Sequence, residues 1–265
     1  MPEGKLRLGG MALRNGLLVH GPTHWAAAVR TAAGELRVAS GPKPRLRAAD
    51  AIPGVRGLAR LAEAFAVIPL VKRALPEAKL PFEAPSVVGV AAGATVTGAL
   101  LRRRARGAGG EVGAALVSLA PALFALRGGE LAAYHGVEHK AIAAYEAPDE
   151  ADAAEAAKEH DRCGSHLIAP MLAANVAGTL LLRRVLERPG PLAGAGVALA
   201  STAAAVEVFA WSERHANSAA ARALKRPGFE LQRALGTREP DERQLDVGRA
   251  ALAEILRAEE AALDG

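Results

Sequence analysis

Large aromatic side chains are scarce in this chain of 265 residues: five phenylalanines, two tyrosines and two tryptophans amount to 3% of it, although 51% is hydrophobic. Alanine supplies much of that apolar content and buries little surface. A soluble core of this size carries more rings than this, whereas small residues suit helices packed closely inside a bilayer. Cysteine is nearly absent as well. The single Cys163 excludes an internal disulfide and fits a reducing compartment. Residues 1–10 lack the apolar centre of a signal peptide. Uninterrupted apolar runs of about 20 residues, the length of a perpendicular span, are missing too. The mean hydropathy of +0.13 is too low for a chain lying wholly in the membrane.

What is present is four shorter uncharged stretches, at 84–101, 112–126, 167–182 and 189–206. They form two hairpins, joined by Arg102-Arg103-Arg104-Ala105-Arg106 and by Arg183-Arg184-Val185-Leu186-Glu187-Arg188. Arginines at helix ends snorkel to the interface and lengthen a short span. The expected fold is therefore mainly α: a four-helix transmembrane bundle of two hairpins, with a small N-terminal β unit and a C-terminal amphipathic helix. The net charge of +5 matches flanks lying against anionic lipid. Its basic residues are not interleaved with aromatics, so nucleic acid is not an expected partner.

Before the hairpins, residues 5–40 read as short strands. Leu17-Leu18-Val19-His20 and the apolar run at 25–29 are split by Gly21-Pro22, and a turn at Thr31-Ala32-Ala33-Gly34 leads into 35–39. The 41–53 segment, with three prolines, reads as a linker. Residues 57–75 carry Leu58, Leu61, Phe65 and Ile68 at helical spacing, interrupted by Pro69. After Trp211 the chain turns polar. Residues 246–263 place Leu252, Ile255, Leu256 and Leu263 on one helical stripe, and Asp241 suits an N-cap. The expected division is 1–56 for the β unit and linker, 57–216 for the helical membrane region with its polar segment at 127–166, and 217–265 for the tail.

The chemistry-bearing stretch is Tyr134-His135-Gly136-Val137-Glu138-His139-Lys140. On a helix, His135 and His139 share a face one turn apart, within reach of one ion. H-x-x-E-H is the inverted zinc-protease pattern: two imidazoles hold the metal and the glutamate takes a proton from water. Alone, five residues are weak evidence, because a solvated polar helix carries the same letters. A second polar cluster, His160-Asp161-Arg162-Cys163-Gly164-Ser165-His166, precedes the third apolar stretch and so lies on the same side of the membrane. His160 and Cys163 offer further nitrogen and sulfur ligands. Glu207, at the end of an uncharged run, is the first choice for third ligand, since ionisable groups at membrane depth face a partner or a cavity. Glu146 and His160 come next.

These residues, taken in order, resemble the domain of unknown function 1385 family. The matching pieces are Gly9-Gly10-x-Ala12, Gly16, Gly21-Pro22, the strand at 26–30, the Tyr134 to Lys140 motif, Tyr145-Glu146, Arg162-Cys163-Gly164, Glu207, Asn217, Pro227-Gly228, Gln232 and Thr237-Arg238-Glu239-Pro240-Asp241. The family comprises bacterial and plant-organelle membrane proteins labelled metal-dependent enzymes. The resemblance implies a multi-pass membrane protein with His, Glu and Cys near the membrane face, and it supplies no substrate. Asn15 departs from it, standing where the family usually has an acidic residue, and Gly236 stands where a threonine is often repeated.

The expected function is that of a metal-dependent enzyme of the cytoplasmic membrane, a zinc-type hydrolase. His135 and His139 would bind a divalent metal, Glu207, His160, Cys163 or Glu146 would complete its shell, and Glu138 would activate water. Lys140 or Arg162 would stabilise a developing oxyanion or hold an anionic headgroup. The expected partners are the lipid bilayer and a peptide or lipid substrate at its interface. The alternative is a non-enzymatic scaffold or assembly factor, with a structural metal site or polar network and a protein partner. An ion transporter is the third reading, set back by having a charge only at Glu207 in the apolar stretches.

Overall fold

The structure, a computed structural model, describes residues 5–46, 55–105, 107–127, 129–147, 152–186 and 189–263. A four-stranded antiparallel sheet opens the chain: β1 (Gly9–Leu13), β2 (Gly16–His20), β3 (His24–Arg30) and β4 (Leu36–Pro42), in that spatial order. A two-residue loop sets the β1–β2 register at Leu13↔Gly16. Asn15 sits in that loop. Its amide donates to the carbonyls of Arg30 (2.9 Å) and Glu77 (3.1 Å) and its oxygen accepts from Lys79 N (2.9 Å). A carboxylate could not make the two donations, so the departure at this position has a structural use. Most of the 41–53 linker expectation lies outside the described residues.

Alternation along the strands splits the sheet into two apolar faces. Leu13, Leu18, Trp25, Ala27 and Val29 pack on Val67, Val71 and Leu75, which belong to α1 (Val55–Ala66), α2 (Ile68–Ala74) and the residues joining and following them. The break expected at Pro69 falls at Val67, because proline without an N–H is tolerated in the first turn of a new helix. The opposite face, Ala12, Leu17, Val19, Ala26 and Ala28, is covered by Leu131, Tyr134 and Val137 of α6 (Glu130–Glu146) and by Val247, Ala251 and Ile255 of α10 (Glu242–Ala261). The polar head is thus a sheet between two helical layers, assembled from pieces far apart in sequence. Asp241 caps α10 as expected, accepting from Gln244 N at 2.8 Å, while the Gln244 side chain accepts from Asp241 N at 3.0 Å. The buried stripe of α10 runs through Leu245, Gly248, Ala251, Ile255 and Ala258. Leu263 lies beyond it, exposed to solvent.

Four helices, at Pro85–Arg104, Ala108–Leu126, Gly164–Val185 and Pro191–Arg214, are long and apolar enough to cross a membrane. They comprise α3 (Pro85–Arg104), α4 (Ala108–Val117) with α5 (Ala120–Leu126), α7 (Ile168–Val185) and α8 (Pro191–Arg214). α3 packs on α4 and α5, α7 on α8, and α4 joins the two hairpins through α7. One buried charge went unread in the sequence. Glu111 of α4 meets Arg102 Nε at 2.9 Å and an Arg183 guanidinium nitrogen at 2.8 Å, tying the two arginine-rich ends together. After the bundle, α9 (Ala219–Leu231) runs into a single wide turn at Gln232–Gly236 that returns the chain to α6.

Candidate metal centre

α6 carries the motif between the sheet and the 152–163 segment. A helical face that must lie flat on a sheet needs small residues, and α6 has them. A side chain at Gly136 would strike the Arg238 carbonyl oxygen, and one at Gly10 would come within 2.9 Å of the Glu138 carboxyl. This close approach presents His135 and His139 to the other side, with ring centroids 4.3 Å apart.

Each imidazole is held by a backbone carbonyl. His135 Nδ1 is 2.8 Å from the Gly236 oxygen, and His139 Nδ1 is 2.6 Å from the Lys158 oxygen. A carbonyl only accepts, so each Nδ1 carries the proton and each Nε2 keeps a lone pair. Those lone pairs meet Cys163. Its sulfur lies 3.3 Å from His135 Nε2, and the ligand atoms of His135, His139 and Cys163 all fall within 4.8 Å of one another. His139 Nε2 is buried and has no hydrogen-bond partner among the described residues. A buried polar atom left unpaired is costly in a finished fold, and an ion bound there removes the cost. Neutral imidazole is favoured in the same way: burial lowers the His139 pKa to about 3, with His135 adding to the effect. Burial also pushes the Cys163 thiol up to about 11, so a cation is what would hold it as thiolate.

The loop bearing Cys163 is fixed by Gln232, which is fully buried. Its oxygen accepts from His160 N at 2.8 Å and its amide nitrogen donates to the His160 carbonyl (3.2 Å) and the Ser165 hydroxyl (2.8 Å). The same wide turn hands the Gly236 carbonyl to His135. Gln232 shows no function in composition, and backbone carbonyls leave no trace in residue types, so these supports were out of reach of motif reading. His166 is spent on the Lys225 carbonyl at 2.9 Å.

The other expected residues are distributed around the centre. Glu138 contacts β1, where the Ala12 backbone N–H hydrogen-bonds its carboxylate; burial nonetheless raises its pKa. Arg162 is ion-paired with Glu146, and His160 Nε2 lies 3.6 Å from the same carboxylate. Burial lowers the His160 pKa. Lys140 holds the carbonyls of Ala154 (3.0 Å) and Ala156 (2.7 Å) and pairs with Glu239 at 2.6 Å. Glu207 lies on α8 and, like His160 and Glu146, stands outside the three-residue ligand group. A cavity of about 250 Å³ adjoins the centre, walled by Glu138, His139, His160, Arg162 and Cys163 on one side and by Gly9, Gly10, Leu61 and Phe65 on the other.

Residues 130–258, which include every ligand and support named above, match the family model described as protein of unknown function (DUF1385). By that region the chain belongs to the DUF1385 family. The match starts at the first residue of α6 and runs almost to the end of α10, so in this DUF1385 protein it takes in the ligand helix and the helix that backs the sheet. The family's description assigns no activity, and the metal-dependent label implied by the resemblance has no support from it. No curated protein and no solved structure matched the chain.

Proposed function

We propose that this DUF1385 protein is a metal-dependent hydrolase working at the bilayer surface, with His135, His139 and Cys163 holding a zinc ion. One observation carries the reading: two buried imidazoles have their Nδ1 protons committed to carbonyls, so both Nε2 lone pairs converge beside a thiol. Nitrogen and sulfur donors of this kind suit zinc, and three protein ligands leave a fourth position for water or substrate, as in catalytic rather than closed structural sites. Zinc so held would polarise a substrate carbonyl and acidify water. The chain's own residues would do the rest. Glu138, steadied by Ala12 N–H, takes the proton from the attacking water. Arg162, on the cavity wall, faces the charge that develops on the substrate. The ion pair with Glu146 keeps that guanidinium in place.

The spans support a membrane location, and the lone reduced Cys163 supports the cytoplasmic membrane with the head on its reducing side. Elemental analysis of detergent-purified, zinc-equilibrated protein tests the centre. It should hold about one zinc per chain, falling below a tenth of that in the double variant His135→Ala, His139→Ala. Wild-type protein that retains no zinc ends the proposal. Glu138→Gln should keep the metal yet fail to complement a deletion strain. Full complementation would leave a structural metal site in a scaffold as the better account.

A further inference from the structure

We propose that the substrate is polypeptide, and that an extended segment of it adds to the free edge of β1 at Gly10; this rests on the hydrolase reading above. β1 is an edge strand. The pair Leu13↔Gly16 closes a two-residue hairpin, so residues 9, 11 and 13 direct their N–H and C=O groups to β2 and residues 10, 12 and 14 direct theirs outward. Two of the three outward positions are occupied. Arg14 N–H donates to the Lys79 carbonyl at 2.8 Å and Ala12 N–H is taken by Glu138. Gly10 is the one left over: its peptide groups have no hydrogen-bond partner among the described residues.

That vacant edge lies in the wall of the 250 Å³ cavity, together with Glu138, His139 and Cys163. A glycine here keeps the approach clear, since any side chain would crowd the Glu138 carboxyl. An extended peptide paired with Gly10 would gain a donor and an acceptor in register, and its backbone would run past the proposed base and metal. Leu61, Phe65 and Ile142 line the same cavity and would receive alternate side chains. A lipid ester has no N–H to match the Gly10 carbonyl. Gly164, another wall residue, is the first residue of a membrane-crossing helix, which places the docked segment at the bilayer surface. The reaction is peptide hydrolysis. The oxygen of water bonds to the peptide carbonyl carbon, the C–N bond breaks, and the water proton taken by Glu138 passes to the departing amine nitrogen, giving a carboxylic acid and an amine with no redox change.

Inhibitor binding to the full-length, zinc-loaded protein in detergent tests this with four probes: acetohydroxamate, octanohydroxamate, an extended tripeptide hydroxamate, and that tripeptide N-methylated at one amide at a time. The tripeptide should bind at least about tenfold more tightly than acetohydroxamate, and N-methylation at a single position should erase the gain. Phe65→Ala should lose part of the gain while leaving acetohydroxamate affinity unchanged. If octanohydroxamate matches the tripeptide, or no N-methyl group matters, the peptide proposal is overturned and the metal site stands. If acetohydroxamate itself does not bind zinc-loaded protein, the open-site hydrolase reading fails and takes the peptide proposal with it.

Discussion

The head and the hairpins of this DUF1385 protein are held together by different means. In the head, Leu13, Leu17, Val19, Val137 and Ile255 are almost fully enclosed, and glycines bring helix against strand. In the four spans, between 6% and 22% of each apolar window is buried inside the chain. The spans have little core of their own, so lipid must cover most of their apolar surface. Sequence composition can specify such a helix, because almost any small or branched apolar residue serves there. It cannot specify the head, where fit at single atoms decides.

The sharpest way to break that contrast is a glycine exchange in each region. Gly136→Ala drives a methyl group into the Arg238 carbonyl and should destabilise the head by about 3 kcal/mol, as overpacking against rigid backbone does. Gly93→Ala meets nothing within 4 Å and should change stability by less than about 1 kcal/mol. Thermal unfolding of the two purified variants gives the comparison, and equal shifts would mean the regions are not built differently. A smaller effect is expected from Glu111→Ala. Arg102 and Arg183 are each about a third exposed, so losing their shared carboxylate should cost about 1 kcal/mol, well below a fully buried pair. Cross-linking between α4 and α7 should weaken in that variant if the ion triad joins the hairpins. The mildest effect is a pH dependence confined to the head. Burial works to raise the pKa of Glu259, but hydrogen bonds from Thr23 N (2.8 Å), Thr23 Oγ1 (2.7 Å) and His24 N (2.8 Å) outweigh it and hold the pKa below its ordinary value. Its stabilising effect is therefore complete above the unfolded-state pKa and fades as pH falls through the folded one. Glu259→Gln should flatten the acid side of the melting-temperature profile and leave the neutral side parallel to wild type.

The hairpins, the N-cap at Asp241 and the turn of helix bearing His135 and His139 were legible in the sequence, because each depends on local pattern alone. β1 was not. Gly9-Gly10 has no strand propensity, and the strand exists because β2 and α6 provide partners for it. Cys163 was one ligand choice among several, since 24 residues of chain separate it from His139 and only tertiary folding brings its sulfur to the imidazoles. Glu207 looked stronger at that stage because an isolated carboxylate in an apolar run stands out in a sequence. The carbonyls of Lys158 and Gly236, which decide where the imidazole protons sit, could be found only from coordinates.

The sheet leaves the ribosome long before α10, and both hairpins are made between them. Until α10 appears, the face formed by Leu17, Val19, Ala26 and Ala28 lacks its cover. An even number of crossings is then a topological requirement: with four, the last helix returns to the side where the first strands wait. Loss of a single span would put α10 on the wrong side of the membrane and leave the head unable to close, so proper insertion becomes a checkpoint that the ligand cluster must pass before it can form.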